Sequence, residues 1–368
     1  MNRCWIVVAY VLACLICLPA AGTAVLELDA SLDDLISPDA KLEKLFERPA
    51  LTPLEIFECP TWVHNSSPGF LIFCNVPGNV IYRLSPDGKA EVFLDRIYNG
   101  KLADANPGAV PNLLMLGANG STLDRQGRVV YASFSAGQIV RVEKNGKRTI
   151  LADRFEGNRF NAPNDLVFRS DGSLYFTDSR GSSEKLDSPH CGEYWMLCGP
   201  RAKGRIPHLG VYLVHAGKVH LLTNNVPKPN GLTLSPDEKH LYVANTSGTI
   251  LRFDVREDGT VANENVFVDM TQEMAAYKRM GNPDSIMVGH PDGIRVDTLG
   301  NIYCSGPGGV WIISNTGKHL GTILIDQGIA SNLTFGDDDA KTLYITSGSF
   351  SGSPAVLRIR LKIAGVRP

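Results

Sequence analysis

The chain has 368 residues, 43% of them apolar, and a formal net charge of −2. That composition supports a large buried core and excludes a disordered chain. No Lys/Arg block interrupts the sequence, which excludes the basic stripe of a nucleic-acid binder and points to small, neutral or weakly acidic partners.

Residues 1–24 read as an export signal. Arg3 supplies a short positive start, Trp5 to Leu18 are almost continuously apolar, and Pro19 breaks the run before Ala20, Ala21, Gly22 and Ala24. Small residues after the break suit signal-peptidase cleavage, so the mature protein is expected in the periplasm or outside the cell, with no stable membrane insertion. The competing reading is an uncleaved membrane anchor, since the run approaches the length that spans a bilayer. Five cysteines follow the signal, and in an oxidising compartment Cys191 and Cys198 are a disulfide candidate in a loop-like stretch. Cys59 and Cys74 are expected either to pair across neighbouring strands or to stay free.

Residues 25–50 read as an arm outside the main fold, with a short helix near Ala40 to Phe46 capped by Asp39 after Pro38. From residue 51 to 368 the chain is repetitive. A β-rich triplet recurs at Leu71–Phe73, Val129–Tyr131, Leu174–Phe176, Leu241–Val243, Ile302–Cys304 and Leu343–Ile345. Most triplets follow a polar turn and lead to a second apolar run such as VIYRL, QIVRV or TILRF. Short alternating runs between turn residues are antiparallel strands. Six such meanders exceed what a two-sheet sandwich needs, and the expected fold is an all-β, six-bladed β-propeller with a short N-terminal helical arm.

Four loops carry polar residues just before apolar runs: Glu58 in FECPTW, Asn164 in NAPNDL, Asn230 in KPNGLTL and Asp292 in HPDGIRV. A lone Pro-Asn-Gly or Pro-Asp-Gly is ordinarily a turn. The same phase in four repeats instead places four oxygen donors at one central channel. Two carboxylates and two amides suit one divalent cation; oxygen-only ligation favours Ca²⁺, with Zn²⁺, Mg²⁺ or Mn²⁺ as alternatives.

Here the sequence resembles the gluconolactonase and senescence-marker-protein (regucalcin) propeller family, most nearly its bacterial sugar-lactonase branch. The resemblance runs from about Leu42 to Leu361 through ANGSTLDRQGR, RFNAPNDLVFRSDGSLYFTDS, PNGLTLSPDEKHLYVAN, PDGIRVDTLGNIYCSGPGGVWI and KTLYITS. It implies an axial metal held by Glu58, with Trp62 completing the E-x-P-x-W motif, and by Asn230 and Asp292. It also implies that Asn164 lies near metal and substrate beside Asp165, and that Asn119 is a polar residue of the mouth. The chain departs from the family at Cys59, where Gly is usual, and at Cys74–Asn75, where Ser-Asp is common. It departs again at ASFSAGQIVR, which lacks a His and an Arg that stand near substrate in relatives.

The implied reaction opens a small sugar lactone to its acid. The metal polarises the carbonyl, and Asp292 and Asn164 are the catalytic candidates, Asp292 as possible general base. Asn119, Asp165, His290 and Arg180 are candidates for substrate contact, His290 as a proton shuttle or a plain loop residue, Arg180 toward an acidic substituent or a structural partner. Hydrolysis of another ester or a phosphotriester, and a non-catalytic ligand-binding propeller, are the alternative functions. GSS at 181–183 and GSFSGS at 348–353 lack the strand–turn–helix context of a serine nucleophile. Asn65, Asn119, Asn245 and Asn332 begin N-x-[ST] triplets, which matter only in a eukaryotic secretory route.

Overall fold

A computed structural model describes residues 24–49, 55–85, 87–102, 105, 114–179, 204–279, 289–325, 328–349 and 353–367. The described chain is nearly all β, and its sheets are antiparallel meanders taken in chain order. Each meander begins with an inner strand: Glu55–Val63, Ala118–Leu123, Pro163–Phe168, Pro229–Leu234, Ile294–Val296 and Ile329–Gly336. Each of these inner strands touches the next, and Ile329–Gly336 returns to touch Glu55–Val63. The recurrent apolar triplets form the strands paired directly outside them, as in Leu166↔Phe176 and Leu232↔Val243.

The apolar side chains lie between successive meanders. Ile72 and Ile81 pack on Tyr131 and Val140, Val130 and Ile139 on Phe176 and Tyr212, Tyr175 and Leu213 on Leu241 and Phe253. Tyr242 and Ile250 meet Ile302 and Trp311, and Tyr303 and Ile312 meet Leu343 and Ile359. The last interface, Tyr344 and Val356 against Phe57 and Phe73, joins the end of the chain to its beginning. Strand Thr342–Ser349 also pairs with the first inner strand, at Gly348↔Ile56 and Ser349↔Glu55.

The N-terminal segment differs from its expected form. Residues near Ala40 to Phe46 do not make a helix; Glu43–Glu47 is an edge strand paired with Ala355–Arg360. The sequence LEKLF has helical spacing, but the open edge of Ala355–Arg360 offers backbone partners, and Phe46 gains contact with Phe57 and Phe73. Tertiary pairing overrides a short local preference. Nor is the segment an outlying arm: Val25–Glu27 extends another sheet at Ile323, and Leu32, Leu35 and Ile36 around a 3-10 turn at Ala30–Asp34 are buried in the core. An unexpected α-helix spans Thr271–Arg279, its start held by Asp269 accepting from Thr271 N.

Candidate active site

Sequence spacing put the four polar residues in loops, but three of them lie on inner strands. Glu58, Asn164 and Asn230 sit at one-residue β-bulges, between Glu58 and Thr61, Pro163 and Leu166, and Pro229 and Leu232. Asn119 has the same place at a bulge between Ala118 and Ser121. A bulge re-aims a side chain that regular pleating would point elsewhere. Asp292 precedes Ile294–Val296, where ladder pairing has not yet begun.

The glycines of these motifs serve close approach, not turns. A Cβ on Gly231 would lie 2.2 Å from the Asp292 carbonyl, and one on Gly120 would lie 2.4 Å from that of Asn164. Gly231 N donates to Asp292 O and Gly293 N to Ser331 O, so neighbouring inner strands are bonded where the polar residues sit. Hydroxyls add to this stitching: Ser121 donates to Cys59 O, Thr177 to Asn230 O, and Ser331 to Phe57 O.

Glu58, Asn164 and Asp292 are 4%, 5% and 9% exposed, and Asn119 and His290 are also buried. Burial, the facing charge of Asp292 and then Asp165 push the Glu58 carboxyl well above the usual range; the Asn332 amide and Cys59 N–H oppose this by hydrogen bonding. Burial likewise raises Asp292, against hydrogen bonds from His290 and Asn230. His290 Nε2 stands 3.6 Å from Asp292 Oδ2. Two desolvated carboxylates facing one another favour a positive charge between them. The Oδ1 atoms of Asn164 and Asn119 are buried without hydrogen-bond partners, and an orphaned acceptor of this kind calls for a donor or a cation. Among the described residues, no three His, Cys, Asp or Glu side chains gather into a metal cluster, at this site or elsewhere.

Asp165 faces another way. It is fully buried; Oδ2 accepts from Arg295 at 3.0 Å and Oδ1 from Leu166 N at 2.9 Å, which engages both oxygens within the protein. The approach to Asn164 is braced from behind by Asp178, which accepts from Asn161 N and Ala162 N, and by Arg205, which donates to the carbonyls of Phe160 and Asn161. Burial raises the Asp178 carboxyl to about 7.

Sequence reading missed Asn332, noticing only its N-x-[ST] triplet. In the structure it is buried, accepts from Leu333 N through Oδ1, and is hydrogen-bonded to Glu58. The available signal was SNLTF standing in the phase of PNGLTL. Asn119 and Asn245 are also buried, which leaves Asn65 as the exposed residue of the four N-x-[ST] triplets. Arg180, Cys191 and Cys198 lie outside the described residues. The disulfide within them joins Cys59 to Cys74, with Cα atoms 5.7 Å apart.

Residues 56–349 match the family described as SMP-30/Gluconolactonase/LRE-like region. The chain belongs to that family. Within it, the chain is 30% identical to a gluconolactonase of Zymomonas mobilis over 327 residues, 85% of this chain and 83% of the relative. It is 29% identical to lactonase drp35 of Staphylococcus saprophyticus, covering 71% of this chain and 68% of the relative. The solved structure of a gluconolactonase from Xanthomonas campestris superposes with a TM-score of 0.68 at 26% identity, covering 92% of this chain and 94% of that one. The family's match begins two residues before Glu58 and ends after Asn332, so it encloses the candidate residues Glu58, Asn119, Asn164, Asn230, Asp292 and Asn332.

Proposed function

We propose that this six-bladed β-propeller opens a sugar lactone of the gluconolactone type to the aldonic acid, using one divalent cation held by Glu58, Asn164, Asn230 and Asp292. The chain is a lactonase, a carboxylic-ester hydrolase, as its family and its gluconolactonase and lactonase relatives indicate. What supports the cation site is the unpartnered, buried Asn164 Oδ1, together with two buried carboxylates, Glu58 and Asp292, the charge of Asp292 acting on Glu58. The donor chemistry is all oxygen, which favours Ca²⁺.

When bound, such a cation supplies Lewis-acid polarisation of the lactone carbonyl. The residues supply the rest. Asn119 and Asn164 orient the carbonyl and ring hydroxyls at the mouth. Asp292 is placed to receive the proton of the attacking water as general base. His290, 3.6 Å away, passes that proton on, and the ring oxygen takes one as its bond to the carbonyl carbon breaks. Asp165 serves as support for the neighbouring strands through Arg295. We also propose export through the signal at 1–24, a reading that the Cys59–Cys74 disulfide supports.

The test is acid release from a panel of aldonolactones by protein stripped with chelator and reloaded with Ca²⁺, Zn²⁺, Mg²⁺ or Mn²⁺. Loss on stripping and return on reloading is the expected result. Full activity without metal would overturn the mechanism, and turnover confined to phosphotriesters would move the chain to another hydrolase class.

A further inference from the structure

Cys59 and Cys74 sit at the root of Glu58, outside every step above. Cys59 directly follows Glu58 on the bulge, is fully buried, and has φ of +45°. In that left-handed region the Cβ of an L-residue crowds the following carbonyl, and glycine is the residue that adopts it freely. By ladder register, the same place in the other inner strands holds Gly120, Asp165, Gly231, Gly293 and Asn332, and none of these five is left-handed. The first inner strand therefore turns where the others do not. Its turn directs Cys59 N toward Glu58, to whose Oε2 it donates at 3.3 Å.

Cys74 lies opposite Glu58 in the ladder to Phe70–Asn75. A disulfide from Cys74 to Cys59 thus ties the residue after Glu58 to the residue across from it. Cys74 Sγ is also 2.9 Å from Ala118 O, an acceptor that a free thiol would take instead. We infer that the Cys59–Cys74 disulfide is a positioning element for Glu58, fixing the left-handed turn that aims its carboxylate at the axis. Losing the link weakens cation binding unless residue 59 adopts that turn unaided. The inference rests on the reading of Glu58 as a cation ligand.

The experiment compares the parent with two double variants, Cys59→Ser/Cys74→Ser and Cys59→Gly/Cys74→Ser. Calcium affinity is read by calorimetric titration and the thermal midpoint by circular dichroism. Both doubles lose the same crosslink, so both should melt earlier by similar amounts. The serine double should bind calcium about tenfold more weakly, while the glycine double should return to within about threefold of the parent. Equal weakening in both doubles, or parent-like affinity in the serine double, would overturn the inference. If the serine double does not fold, Cys74→Ser alone, which keeps Cys59 but leaves it unlinked, should likewise bind calcium about tenfold more weakly, and parent-like affinity there would overturn the inference. A parent that binds no calcium would instead defeat the proposed function, and the inference with it.

Discussion

Arg295 and Asp165 show how one buried residue pair depends on both of its members. The pair joins two inner strands at 3.0 Å, and Asp165 is fully buried. Removing one partner leaves an uncompensated charge, so Arg295→Met should destabilise by about 3–5 kcal/mol, while Asp165→Asn with Arg295→Met should recover most of that loss. Denaturant unfolding of the parent and the two variants checks it, and equal stability of the single and double variants would remove the pair from this role. Such pairing was not legible in sequence, because Asp165 sits in the same Asn-Asp motif as Asn164 and reads as a mouth residue. The residue type was visible; the direction of its side chain depends on a bulge that places Asn164 and Asp165 on different sides. Asn332 failed for a related reason, since without a Pro-Asn-Gly frame its phase in the repeat is hidden.

Among the elements, the inner strands owe their spacing to absent side chains. Gly231→Ala would push a methyl to 2.2 Å from the Asp292 carbonyl, a contact that must move backbone rather than a flexible side chain. It should cost about 1–3 kcal/mol or more in unfolding free energy and weaken cation binding together; a neutral effect on both would contradict close packing there. Asp178, behind the Asn164 strand, gives a pH signature. Its folded value near 7 lies above the ordinary 3.8, so the folded state holds a proton that the unfolded state has released. Its contribution to stability is therefore full below about pH 4 and declines as pH rises toward 7, by up to about 4 kcal/mol. Unfolding free energies of the parent minus those of Asp178→Asn, measured from pH 4 to 8, should fall across that window and then level. A flat difference would show Asp178 ionised throughout. Meander strands were readable from turn spacing and triplets, whereas Glu43–Glu47 was not, because its pairing partner lies some three hundred residues away.

For the molecule as a whole, the two ends of the chain matter more than their composition suggests. The segment holding Leu32, Leu35 and Ile36 packs against the final meanders, and Ile36→Ala should cost about 2–4 kcal/mol, read as an earlier thermal midpoint. An unchanged midpoint would make that segment a dispensable appendage. The repeat count and the order of motifs carried the global architecture, since each meander needs a neighbour to cover its apolar face. Closure itself shows up in contacts such as Phe57 with Tyr344, between residues at opposite ends of the sequence. That closure is what brings Glu58, on the first inner strand, within electrostatic reach of Asp292, which precedes Ile294–Val296. Calcium titration of chelator-stripped protein tests this convergence most directly. One calcium ion bound per chain, and none in a folded Glu58→Gln/Asp292→Asn variant, is the predicted result; no uptake by the folded parent, or uptake that survives the double substitution, would contradict it.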